Sequence, residues 1–244
     1  MARRARHSRD RQRPASIAPA SPFVRRKLPF FDVLDEEAVL KLEAQIDWLL
    51  QDVGIAFRDD TEALRIWKDA GAQIEGDIVR APADWIRSLC AKAPSEFTQL
   101  ARNPERSVTI GGANQVFAAV NGAPFVRDLE GGRRYGDIAA FRELVKLTYL
   151  HPNLHHAGFN ICEPCDVPVN KRHFDMILAH MTLSDKPHFG AITEMSRAED
   201  SMDMADILFG RDVVDQNCVL MGNVNTNSPL LVDKVVTEAI RVYS

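Results

Sequence analysis

From residue 137 onward the hydrophobic pattern alternates strand and helix, each unit about thirty residues long, and this rhythm restricts the fold more than any other feature of the sequence. Asp137 is placed to cap a helix whose apolar positions are Ile138, Phe141, Leu144, Val145 and Thr148, and Pro152 prevents its continuation. A strand is expected over 155–161, then a helix over 169–183 facing inward through Phe174, Ile177, Leu178 and Met181. A strand over 187–193 leads to Ser196-Arg197-Ala198-Glu199, a capping-box pattern, with Ala198, Met202, Ala205, Leu208 and Phe209 buried behind it. A third strand is expected over 217–223. Ser228 and Pro229 then read as the cap and first turn of a last helix carrying Leu231, Val235, Val236, Ala239, Ile240 and Tyr243. Strands spaced this way need right-handed crossovers and a parallel sheet, either doubly wound or closed as a barrel. No glycine-rich dinucleotide fingerprint or phosphate loop occurs, so the barrel is the preferred form.

The expected fold class is α/β: a partial TIM (β/α)8 barrel over 137–244, preceded by a helical region and a short β-meander over 29–136. The helices there are signalled by Asp35-Glu36-Glu37, by Thr61 with Leu64 and Trp67, and by Pro82; a hairpin is signalled at Gly76-Asp77. Short strands separated by Asn103-Pro104, Gly111-Gly112, Asn121-Gly122 and Gly131-Gly132 follow. Three or four βα units cannot close eight strands, and the sequence stops inside an amphipathic helix, so it reads as the N-terminal piece of a longer protein. Left alone, half a barrel exposes two sheet edges and an apolar face.

Charge is distributed unevenly. Residues 1–28 hold nine Lys/Arg against one acid, Asp10, a net +8; the whole chain carries −4, so the remainder carries −12. The body is too acidic for nucleic acid, which requires clustered cations. The tail, with Pro14, Pro19 and Pro22 and no apolar period, is expected to be disordered and solvated; contact with nucleic acid or a membrane surface, and targeting, are the alternatives weighed against that. No run reaches the ~18 apolar residues of a membrane span. Four cysteines, Cys90, Cys162, Cys165 and Cys218, suit a reducing compartment, and the cytoplasm is the expected location.

Polar residues at the expected strand ends form the candidate substrate-binding set: Asn160, Glu163, Glu194, Asn223 and Asn225. In a barrel these positions build the active face; the plain alternative is that they cap helices and pair loop backbones. Phe159 and Phe189 read as core or barrel-wall residues, and His188 near Asp185 as a structural pair. Cys162-Glu163-Pro164-Cys165 reads first as a strand-end loop and, in alternatives, as a zinc or redox site. His173 and His180 lie two turns apart, about 10.5 Å, too far to share one ion, and no metal site is expected.

The helix ending in "DVGIAF" (52–57), Gly122-Ala-Pro-Phe-Val126, Gly132-Arg-Arg-Tyr-Gly-Asp137 and Asn225-Thr-Asn-Ser-Pro-Leu230, in that order, resemble the trimethylamine methyltransferase family of corrinoid-dependent methyltransferases over residues 30–244. The resemblance implies a TIM barrel with an added N-terminal region. It also implies transfer of a methyl group from trimethylamine or a betaine-like quaternary amine to the Co(I) corrinoid of a separate protein. A D-x-H-x-x-G corrinoid signature is absent from the sequence, so no cofactor is expected on this chain and the corrinoid protein is the expected partner. Membranes and nucleic acid are not expected partners, and a complete protein of this kind is expected to be a homo-oligomer. A quaternary ammonium has no N–H, so its recognition is expected to rest on aromatic faces and carboxylates. The family's pyrrolysine position lies in the carboxyl half, and no catalytic residue is assigned here. A barrel half that only docks the corrinoid protein, and an unrelated metal-dependent barrel enzyme using Cys162 and Cys165, are the competing readings.

Overall fold

The computed structural model describes residues 22–227 and 229–244. In chain order the elements are β1 (Val24–Arg25), α1 (Glu36–Trp48, prolonged by a π turn to Val53), β2 (Ile55–Arg58), α2 (Thr61–Asp69), β3 (Gln73–Glu75), β4 (Ile78–Arg80), α3 (Ala83–Cys90), β5 (Glu96–Gln99), β6 (Val108–Gly111), β7 (Asn114–Gln115), β8 (Phe125–Asp128), β9 (Gly132–Tyr135), α4 (Ile138–Leu150), α5 (Arg172–Leu183), α6 (Met195–Phe209), α7 (Arg211–Val214), β10 (Leu231–Asp233) and α8 (Lys234–Tyr243). The fold is mixed α/β, and the named strands form no closed barrel among the described residues. No helix among them is long and apolar enough to cross a membrane.

Local chemistry explains most helix starts. Asp35, Asp60 and Asp137 each accept a hydrogen bond from the backbone N–H three residues on, capping α1, α2 and α4. Gly54, at φ +82°, ends the first helix; a Cβ there would lie 2.7 Å from Val79 O, so only glycine lets β2 approach β4. Other starts differ from expectation. The helix expected from Ser196 begins at Met195 with Glu194 at its cap, so the capping box does not form. α5 turns His173, Met176, Ile177, Ala179 and His180 inward, leaving Phe174 and Leu178 exposed; the buried face includes two histidines that the apolar period passes over.

Two sheets organise the first half. Antiparallel β5–β6–β7 continues to β1, where Val24 faces Gln115. The end of the basic tail, expected to be disordered, is therefore ordered: residues 24–26 hydrogen-bond along β7, and the Arg26 guanidinium lies 3.3 Å above the Phe30 ring. Residues 1–21 lie outside the described residues, as does Ser228. The second sheet, β10–β2–β4–β3, takes its edge strand from the far end of the chain, since Leu231–Asp233 pairs parallel with Ala56–Arg58. That pairing occupies the residues expected to open the last helix, which starts at Lys234. Asp60 reinforces the join: almost fully buried, it also accepts from Thr237 Oγ1 and from Arg241 Nη1 at 3.1 Å.

In the second half the expected strands persist only as short parallel segments. Ala118 bridges His156 and Phe189 bridges Met221, both parallel, and between them Ala157 N–H donates to Pro187 O and Phe189 N–H to Gly158 O, contacts that advance in the same direction along both segments. Four segments thus lie side by side in chain order, with α4, α5 and α6 packed in sequence against one another outside them. The core behind them contains Phe141, Val145, Ile161, Cys162, Met176 and Ala179. Buried Gln99 of β5 ties the segments together from below: its Nε2 donates to His188 O at 3.0 Å and to Val219 O at 3.2 Å, and its Oε1 meets His156 Nε2 at 3.1 Å.

Candidate functional site

Because the four segments run parallel, the loops that leave their carboxyl ends converge on one face. There they enclose a cavity of about 400 Å3. Asn121 and Gly122 follow the first segment, Asn160 and Glu163 the second, Thr193 the third, and Asn223 and Asn225 the fourth; α5 supplies Arg172, His173 and Met176, and α6 supplies Arg197. Of the five candidate residues, Asn160, Glu163, Asn223 and Asn225 line this cavity. Glu194 does not. Its backbone caps α6, and its carboxylate, 58% exposed, pairs with Arg197 Nε at 3.2 Å. Phe159 and Phe189 form apolar wall, and Phe159 also packs against the core.

The charges in the cavity are arranged unlike a simple cation receptor. Glu163 is the one carboxylate on the wall, and both its oxygens are engaged, Oε1 by Arg172 Nη1 and Oε2 by Asn160 Nδ2. Arg172 is held further by Nε and Nη2 donating to Val167 O at 3.2 and 2.9 Å. Arg197, by contrast, pairs through Nε with Glu194, which lies outside the cavity, and through Nη1 with Thr193 Oγ1 on its wall at 2.9 Å. Two guanidiniums against one neutralised carboxylate favour a ligand with an anionic group. Glu163, the carboxylate of the candidate set on this wall, is thus already paired within the protein, and Phe159 and Phe189 are its aromatic surfaces.

Asn160, fixed by its amide N–H on Glu163, leaves Oδ1 buried without a partner, and His173 leaves Nδ1 in the same condition. Such orphans cost about 1–3 kcal/mol each. His173 Nε2 lies 2.8 Å from Asp200 Oδ2. This pair carries no local sequence signal, since Asp200 lies on the next helix, α6.

His156, His180 and His188 are held by structural hydrogen bonds. Gly158 N–H donates to His156 Nδ1 at 3.0 Å, so His156 carries its proton on Nε2 toward Gln99. His180 Nε2 donates to Phe159 O, and its ring stacks on His188 at 5.3 Å. Burial, reinforced by the neighbouring histidines, depresses His156 and His180 to about 3, and burial also lowers His188. His188 bonds Phe189 O rather than Asp185, which pairs with Arg106.

Cys162 and Cys165 are not brought into chemistry. Burial, then the nearby Asp137, pushes the Cys162 thiol up to about 11, away from the thiolate that metal binding or redox exchange requires. No cluster of three or more His, Cys, Asp or Glu suited to a metal occurs among the described residues. The loop is held instead by Glu163 N–H on Ala123 O and Cys165 N–H on Gly136 O. A Cβ on Gly136 would lie 2.6 Å from Glu163 O, which is why glycine precedes Asp137.

The sequence is 36% identical over 218 residues to a glycine betaine methyltransferase of Desulfitobacterium hafniense (strain Y51). The aligned stretch is 89% of this chain and 45% of that protein, so the chain spans about half the length of the curated relative it matches. The family described as trimethylamine methyltransferase matches residues 2–244, including the basic tail that the resemblance in the sequence left out. By that match and that identity, the chain belongs to the trimethylamine methyltransferase family.

Proposed function

We propose that the complete protein transfers a methyl group from a betaine-like N-methylated amine, one bearing a carboxylate, to the Co(I) of a corrinoid carried by a separate protein. In this reading the four parallel segments are the opening strands of a (β/α)8 barrel, and the cavity is the part of its active face that this chain builds. The N–CH3 bond breaks with its electron pair remaining on nitrogen, and the methyl carbon bonds to cobalt, the methyl acceptor. This chain's residues hold the ammonium against Phe159 and Phe189, fix the carboxylate, and exclude water from the displacement.

One observation carries the choice of a zwitterion over a bare amine. Arg197 lines the cavity while its carboxylate partner Glu194 stays outside it, leaving guanidinium N–H groups for a ligand carboxylate. The relative whose name specifies glycine betaine supports the same class. Arg197→Met is expected to weaken glycine betaine binding about tenfold, the loss of one charge-assisted pair, and to leave tetramethylammonium, which has no carboxylate, within twofold. Titration calorimetry on the complete protein measures both; an equal loss for the two ligands would refute the assignment.

A further inference from the structure

We propose that His173, oriented by Asp200, delivers a proton to the nitrogen that the departing methyl group leaves behind. The inference rests on the methyl-transfer reading above and adds a residue to it. Three features of the structure converge. His173 is 4% exposed yet contributes to the cavity wall. Its Nε2 is fixed on Asp200 Oδ2 at 2.8 Å. Its Nδ1 is buried and has no hydrogen-bond partner among the described residues. His156, by comparison, has both nitrogens bound, and neither His180 nor His188 lines this cavity.

The chemistry requires such a group at one moment only. A quaternary nitrogen has no lone pair and cannot be protonated before the bond breaks. As the C–N bond opens, the pair appears on a tertiary amine whose conjugate acid has a pKa of about 10, like an alkylamine, against about 6.5 for imidazole. An imidazolium Nδ1–H therefore passes its proton downhill. The balance is quaternary ammonium, Co(I) and imidazolium in; tertiary ammonium, methyl–Co(III) and neutral imidazole out. The Asp200 carboxylate, about a third exposed, fixes the ring through Nε2, as a positioning residue. Afterwards the neutral Nδ1 accepts a hydrogen bond from the new N–H, which substrate does not possess.

The test uses the complete protein and its Co(I)-loaded corrinoid partner, with glycine betaine and N,N-dimethylglycine as probes. In single-turnover mixing, His173→Gln is expected to slow methyl transfer at least tenfold while glycine betaine affinity stays within twofold. Its N,N-dimethylglycine affinity is expected to fall about fivefold. Asp200→Asn, near the surface and tolerant of folding, is expected to change both quantities in the same direction by less. Rates and N,N-dimethylglycine affinities within twofold of wild type in both variants would overturn the role of His173. Failure of the wild-type protein to transfer a methyl group would instead overturn the function reading, and the N,N-dimethylglycine arm would still decide for or against His173.

Discussion

Replacing Lys186 with methionine is expected to lower stability by about 3 kcal/mol, a melting-temperature fall of roughly 6–12 °C for a domain of this size. Lys186 is 6% exposed, and no carboxylate among the described residues forms an ion pair with it. Its ammonium instead donates to three backbone carbonyls, Thr148 O at 2.8 Å, His151 O at 3.0 Å and Leu154 O at 2.6 Å. These oxygens close α4 and the turn after it, where helical carbonyls lack N–H partners and carry the negative end of the dipole. Lys186 thereby pins the outer helix to the start of the third parallel segment. Methionine fills the space of the stem and removes the ammonium from Thr148 O and Leu154 O in a dry site, while His151 O keeps only the Leu154 N–H at 3.3 Å. Scanning calorimetry measures the shift; a fall under about 2 °C would show that the carbonyls find water and that the lysine is dispensable.

Acidification is expected to unfold the protein through its buried histidines. His156 and His180 are held near 3 by burial, against an ordinary value of 6.5. The unfolded chain therefore binds more protons than the folded one between those limits. Stability is fully present above pH 6.5 and is lost as the pH falls toward 3, with a slope of about 1.4 kcal/mol per pH unit for each histidine. His188, lowered in the same sense, steepens the fall. Denaturant titrations at several pH values measure the slope. His156→Gln, which can still bond Gln99, is expected to flatten it by one histidine's share; a slope unchanged by that substitution would show that His156 is charged in the folded state.

The helices were largely legible because their signals are local. Asp35, Asp60 and Asp137 cap helices on their own immediate N–H groups, and Gly54 stops the first. What was not legible depends on distant partners. Leu231–Asp233 has a helical apolar period, yet the free edge of β2, more than 170 residues earlier, takes it as a strand. The parallel segments are shorter than their hydrophobic runs because only a few residues of each meet a neighbour. α1 shows the converse: despite a clear apolar period over Leu42 and Ile46, both 53% exposed, the helix has no buried residue among the described ones. At the site, strand-end position sufficed to find Asn160, Glu163, Asn223 and Asn225. It did not find Arg172, Arg197 or His173, which arrive from helices and whose partners lie on other elements, nor did it show that Glu194 turns outward.

The account is tested most directly by mixing the complete protein with a corrinoid protein reduced to Co(I) and following cobalt by its visible spectrum as glycine betaine is added. The predicted result is loss of Co(I) to a methyl–cobalt product, with one N,N-dimethylglycine formed per cobalt and none formed when the corrinoid protein is omitted. Demethylation that proceeds equally well without corrinoid, or a Co(I) spectrum that persists while ligand saturates the cavity, would contradict it.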